Sequence, residues 1–209
     1  KDDLKVGERV RLEPYTGAIL DLAQAGTMVI KEETVAVLVD RIAGLTKFNL
    51  LSGDLWLTVK DTKLMGSLEI IMSQSVVKVR NGNITLSVSP DGLDNYIRVL
   101  SGEAEVSVKG RAGSTVLRPG QWMVLRQKLA DAMRNRPPQG VIDVFDMEEE
   151  IARWEKDTAR IGSELSIDQL TKKINSYCDH IDKVGKGLLL QYERILAGSG
   201  TISDVDALK

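Results

Sequence analysis

The sequence is poor in the side chains that carry most protein chemistry. Its 209 residues include one histidine, His180, and one cysteine, Cys178, so an internal disulfide is excluded. A zinc or non-haem iron site needs three or four N, S or O ligands held in a fixed frame, which this pair does not supply without several carboxylates. A Cys–His nucleophilic pair is disfavoured too, because residues two apart on a helix point to different faces. The sequence contains no run of about 18 uncharged apolar residues, so no membrane-spanning helix is expected within it. Lys1-Asp2-Asp3-Leu4-Lys5 has no hydrophobic stretch behind it and does not read as a signal peptide. Neither charge sign dominates, with 28 basic against 30 acidic side chains, which argues against a strongly basic nucleic-acid binder. Gly110-Arg111-Ala112-Gly113 lacks the Lys-Ser/Thr of a phosphate loop. Asp91 and Asp94 lack the ligand density of a calcium loop. These absences lead to the expectation of a non-enzymatic chain with no cofactor and no metal.

What is present is a soluble-type composition, 43% hydrophobic and 28% charged, able to bury a core. Up to about Arg126 it consists of short β-branched and aliphatic runs punctuated by glycine. Strands are expected at Arg9–Leu12, Thr27–Ile30, Leu55–Val59, Leu68–Met72, Ile84–Val88, Tyr96–Leu100, Ala104–Val108 and Trp122–Leu125. Asn81-Gly82 and Asp91-Gly92 favour the positive φ of tight turns, so Val79–Val88 is expected to form a hairpin corner and Val88–Val99 to be joined through Pro90-Asp91-Gly92. The basic cluster Arg126, Lys128, Arg134 and Arg136, with Pro137-Pro138, reads as a solvated linker over 127–142.

Beyond it the period changes. Val144, Met147, Ile151, Trp154, Thr158, Ile161 and Leu165 are spaced alternately three and four apart, as are Ile167, Leu170, Ile174, Tyr177, Ile181, Val184 and Leu188. That is a heptad stripe. Gly162-Ser163 followed by the capping-box form Ser166-Ile167-Asp168-Gln169 divides it into two helices, about 143–161 and 167–197. The expected organisation is a β domain over 1–126, the linker, an antiparallel helical hairpin over 143–198 and a flexible tail over 199–209.

Two stretches 49 residues apart match without gaps. Leu51-Ser52-Gly53-Asp54-Leu55-Trp56-Leu57-Thr58-Val59-Lys60 aligns with Leu100-Ser101-Gly102-Glu103-Ala104-Glu105-Val106-Ser107-Val108-Lys109. Such self-similarity marks repeated supersecondary units that bury their apolar faces against each other. Alternation places Leu55, Leu57 and Val59 on one face, matching Ala104, Val106 and Val108. The fold expected is mainly β, made of twisted stacked hairpins of roll or solenoid-like form, with the C-terminal helical hairpin attached.

On these residues the chain resembles the FecR-domain family over about 8–126. The motifs are Leu12 through Gly26, the Gly-acid strand Leu50 through Val59, Leu68 through Val88, Ile97 through Val108, and Val116-Leu117-Arg118-Pro119-Gly120-Gln121. Asn83-Ile84 stand where the family has Gly-Thr. The resemblance implies an extracytoplasmic, periplasmic module of the bacterial cell envelope, tethered to the membrane by a segment outside this sequence. As a sensor or adaptor it would engage another envelope protein. Ile97–Val108 with Pro119-Gly120 also resembles a hairpin of cupins and cyclic-nucleotide-binding barrels, which leaves a small-ligand barrel as an alternative; the segment has no histidine ligands and no well-spaced phosphate-gripping arginine.

The residues singled out for partner binding are Trp56, Ile174, Tyr177, Ile181, Val184 and Leu188. Alternation points Trp56 to the outer face, where it is either a contact for another protein or covered by a helix or loop of its own chain. Trp122, sharing a face with Val124, is expected in the core, and Trp154 is expected to pack on the second helix or on the β domain. The heptad residues would pair with another envelope protein or with a second copy, which makes an envelope-assembly subunit the structural alternative; no nucleic acid is expected as a partner.

Overall fold

The computed structural model describes residues 4–14, 16–22, 26–42, 45–60, 67–158 and 185–186. The chain divides into two compact units, 1–162 and 163–209. Apart from the helical pair Gly185-Lys186, everything described belongs to the first. Its strands are β1 (Arg9–Arg11), β2 (Ala18–Asp21), β3 (Gly26–Ile30), β4 (Val35–Ile42), β5 (Leu45–Val59), β6 (Ser67–Ile71), β7 (Ser75–Val88), β8 (Asp94–Val108), β9 (Thr115–Leu117), β10 (Gln121–Arg126) and β11 (Gln139–Val144). Helix α1 (Leu129–Ala132) precedes β11 and helix α2 (Met147–Thr158) follows it.

Pairing joins all eleven strands, yet they form two layers. Strands β5, β7 and β8 are 14 or 15 residues long and change layer midway. The first layer runs β1, β4, the first half of β5, β6, the first half of β7, the second half of β8, then β9. The second runs β2, β3, the second half of β5, the second half of β7, the first half of β8, β10 and β11. Among the described strands only β5 and β6 pair in parallel.

Each change of layer occurs at a glycine with positive φ: Gly53 at 90°, Gly82 at 110° and Gly102 at 74°. Gly82 and Gly102 are register partners, and there the backbones approach too closely for a side chain. A Cβ on Gly82 would lie 1.9 Å from the Ser101 carbonyl oxygen, and one on Gly102 would lie 2.2 Å from that of Asn81. The bend also resets the alternation. Phe48 and Leu50 point inward before Gly53, and Leu55, Leu57 and Val59 after it; a regular strand would have turned the odd-numbered set outward. The inward side chains of both layers fall in one cluster, with Leu50, Ile70, Val77 and Val106 from the first and Leu57, Leu86, Ile97 and Leu125 from the second. Burying an aliphatic side chain of this kind contributes roughly 1.5–3 kcal/mol, so this interior is the main source of stability.

The mainly β class agrees with the sequence reading, and the two matched stretches do mark equivalent bends. They enter opposite layers: β5 crosses from the first to the second at Gly53, and β8 returns from the second to the first at Gly102. Several expectations are corrected. Asn81-Gly82 does not reverse the chain, because Gly82 lies within the continuous β7. Tyr96–Leu100 and Ala104–Val108 are one bent strand. Strands β2, β4, β9 and β11 were not expected. Residues 127–142, read as a linker, hold α1 and most of β11, because Gln139–Val144 pairs along the whole of β10. The helix expected from 143 starts at Met147, since Val144 belongs to that strand. A crevice of about 250 Å³ between the Arg111–Thr115 loop, Met123, Leu125 and Ile142 marks the place where the layers part. The second helix (167–197) and the tail (199–209) lie outside the described residues, Gly185 and Lys186 excepted.

Thr34 pins the first bend. It is fully buried, and its hydroxyl oxygen accepts from the Asp54 amide at 2.9 Å. Thr34→Val keeps the shape and leaves that amide without its acceptor; unfolding by urea is expected to show a loss of about 1–2 kcal/mol.

Candidate interaction site

The outer face of the second layer carries two cross-strand rows. Trp56, Thr85, Arg98 and Trp122 are successive register partners across β5, β7, β8 and β10. Beside them run Asp54, Ser87, Tyr96 and Val124, with the Ser87 hydroxyl donating to the Asp54 carboxylate. Tyr96 and Trp122 stack with centroids 6.3 Å apart, and the Arg98 guanidinium lies 5.1 Å from the Trp122 ring and 5.6 Å from that of Tyr96. This is a cation held against aromatic faces on a rigid sheet.

Helix α2 lies over this face. Its start is fixed locally: the Asp146 carboxylate accepts from the amides of Glu148 and Glu149 at 3.0 and 3.1 Å, and three glutamates in the first turn suit the positive end of the helix dipole. Two side chains anchor it. Trp154 is fully buried and meets Trp56 edge to face at 5.4 Å. Over its ring sits the Lys31 ammonium at 3.8 Å, which also pairs with Asp157 at 2.5 Å. Glu150 is 7% exposed, and its Oε1 accepts from the Thr85 hydroxyl at 2.9 Å, the Arg153 guanidinium at 2.8 Å and its own helix's Trp154 indole at 2.9 Å. Arg98 lies 3.9 Å from the same oxygen. Burial pushes the Arg98 guanidinium below its usual pKa, an effect that the Glu150 charge opposes. Glu150 is thus the only described acid on α2 that is buried, and it meets a cation already stripped of much of its water.

Three donors on this face have no hydrogen-bond partner among the described residues: the Trp56 indole N–H, the Trp122 indole N–H and the Arg98 nitrogen that faces Glu150. The contact therefore holds buried charge and polarity that are incompletely satisfied. On separation Glu150 keeps Arg153 and Trp154 of its own helix, whereas the half-desolvated Arg98 loses the acid it faces.

Among the residues marked out by sequence, Trp56 faces outward as alternation required, and α2 of its own chain covers it. Trp154 packs on the β domain, one of the two positions expected for it. Trp122 is not in the core; it shares the outer face with Val124, as the inward positions of β10 are Met123 and Leu125. Ile174, Tyr177, Ile181, Val184 and Leu188 lie outside the described residues. The heptad stripe does not define the buried side of α2, since Met147 and Ile151 are exposed. Glu150 and Arg98 were missed. The available signal was Asp146-x-x-Glu149, a capping-box spacing that sets the helix start and, with Trp154, places Glu150 one turn before the tryptophan. Asp91 serves its own turn: it accepts from the Ser89 hydroxyl at 2.5 Å and the Leu93 amide at 3.0 Å, and the Ser89 bond holds its carboxyl below the usual range. The described residues contain no group of three or more His, Cys, Asp or Glu placed to hold a metal ion.

No family model matches this chain, and neither does any curated protein sequence. Solved structures do match. Two crystal structures from Parabacteroides distasonis, each provisionally named an anti-sigma factor, superpose with TM-scores of 0.58 and 0.57 at 12% and 13% identity. They cover 70% and 69% of this chain. The chain in turn spans 64% and 63% of those proteins. At such identity the likeness is one of fold.

Proposed function

We propose that this chain is a non-enzymatic protein–protein interaction module of the bacterial cell envelope, a FecR-like sensor or adaptor. In it the two-layer β domain receives a partner, and α2 passes the bound state to the residues that follow. The observation that carries this reading is the seating of α2 through Glu150 and Trp154. This polar cluster clamps a helix instead of lining an open cleft, and its buried charges make the contact suited to two discrete states. The shared fold with proteins named as anti-sigma factors supports a regulatory role, and the motifs from Leu50 to Val59 and from Ile97 to Gln121 support the FecR-like assignment. An extracytoplasmic location belongs to the same proposal.

The test uses the full-length tagged protein in its own host. Protease added outside the cytoplasmic membrane of spheroplasts is expected to degrade it, and mild cross-linking is expected to retain an envelope protein on the wild type. With Glu150→Gln, binding of that protein should uncouple from protection of α2 against proteolysis. Full protection in intact spheroplasts would refute the location. A stoichiometric small molecule seen by native mass spectrometry, with no protein partner, would refute the module reading.

A further inference from the structure

The edges of the two layers are unequally guarded. Strand β1 has three residues, two of them arginines, and β9 has three. Strand β2 has four residues and ends in Asp21. Strand β11 has six, Gln-Gly-Val-Ile-Asp-Val, with neither lysine nor proline, and pairs with β10 alone among the described strands. Every residue of it is exposed, including Val141 at 62%, Ile142 at 46% and Val144 at 74%. Its one charge is Asp143, near its end, and an exposed apolar edge of this length is a template for another strand.

The pairing of β11 shows which groups face outward. The Phe145 amide donates to the Gly120 carbonyl. Antiparallel strands alternate, so Asp143, Val141 and Gln139 also direct their amides to β10, and those of Val144, Ile142 and Gly140 face the free edge. In agreement, the Val144 amide is taken by the adjacent Asp143 carboxylate at 2.8 Å rather than by a strand. Charge is distributed unevenly along the same edge. At the Gln139 end are the exposed Arg126, Lys128, Arg134 and Arg136, with only Asp131 near Arg136. At the Val144 end are Asp143, Asp146, Glu148 and Glu149.

We infer that β11 is a self-association edge, occupied by β11 of a second copy of this chain in an antiparallel pair about a two-fold axis. A two-fold axis perpendicular to the sheet keeps faces matched, and the register that uses all three outward amides sets Ile142 opposite Ile142 of the second copy and Gly140 opposite its Val144. That arrangement alone brings the basic end of each copy beside the acidic end of the other, and the two charge clusters are complementary. The inference does not rest on the proposed function: it needs Glu148 and Glu149 only as exposed charges in the first turn of α2, whatever α2 transmits.

The experiment is sedimentation equilibrium on the full chain. A concentration-dependent dimer is expected, weakened by raising salt, because the end clusters are exposed and screened. Ile142→Lys should weaken it at least about tenfold while preserving the circular dichroism spectrum and unfolding midpoint. A second arm does not depend on that variant: Ile142→Cys in a Cys178→Ser background should form an interchain disulfide on mild oxidation, since opposed hydrogen-bonded residues have Cα atoms about 5.5 Å apart. Ile19→Cys, on the other edge of the same layer, should not. A monomer at about 100 μM, a dimer indifferent to Ile142→Lys, or equal cross-linking at positions 19 and 142 overturns the inference, and would assign association to other residues.

Discussion

Gly82→Ala is expected to abolish the cooperative fold or destabilise it by roughly 4 kcal/mol. Two penalties combine. Positive φ costs a non-glycine residue about 1–2 kcal/mol, and a Cβ 1.9 Å from the Ser101 carbonyl oxygen forces a backbone shift costing typically 1–3 kcal/mol more. The neighbour cannot give way, because the obstructing atom is backbone in β8 and its own bend at Gly102 is equally tight. Gly113→Ala is the control: its φ is 82° but no atom lies within 4 Å of the added carbon, so only the conformational penalty of about 1 kcal/mol remains. Urea unfolding of both variants checks this, and equal losses at the two sites would show that the close crossing has no energetic role.

Trp154→Ala is expected to release α2, with the β domain left folded. Removing a fully buried tryptophan typically costs about 3–5 kcal/mol. Here the loss falls on one contact, and a helix of 12 residues is marginal by itself. Once docking is lost, further loss has nothing to act on. Tryptic cleavage after Arg153 and Lys156 should therefore accelerate at least about tenfold, whereas the main unfolding transition should move much less. Glu150→Gln should act in the same direction, by about 3 kcal/mol, since it withdraws the charge facing Arg98 while keeping an oxygen for Thr85. Adding Arg98→Met should restore part of the loss, because the stranded charge is then gone. A double variant no better docked than Glu150→Gln would contradict the ionic account of the clamp.

The sequence carried the strand halves and the repeat clearly because both depend on local pattern. Leu55, Leu57 and Val59 alternate, and Ser52-Gly53 and Ser101-Gly102 recur, so inward faces and bends could be located. It did not show whether a glycine reverses a strand or bends it. Asn81-Gly82 has the same local chemistry in either case, and the outcome is decided by Ser101 and Gly102, a partner distant along the chain. Strand β11 was hidden for a related reason: its pattern is weak, and what makes it a strand is the free edge of β10. The clamp was half legible. Periodicity found Trp154 and alternation found the outward Trp56, but pairing a glutamate on a helix with an arginine on β8 needs the tertiary fold. The heptad stripe misplaced the buried side of α2 because a sheet accepts a different line of residues from a helix partner; Glu150 and Trp154, one turn apart, are that line.

The docking of α2 on the outer face of the second layer is the claim on which the rest depends, and native-state hydrogen exchange of the full chain measures it directly. The account predicts that amides from Ile151 to Thr158 exchange at least about a hundredfold more slowly than in the isolated peptide and lose that protection together in Trp154→Ala. Exchange in the wild type at the rate of the free peptide would contradict it.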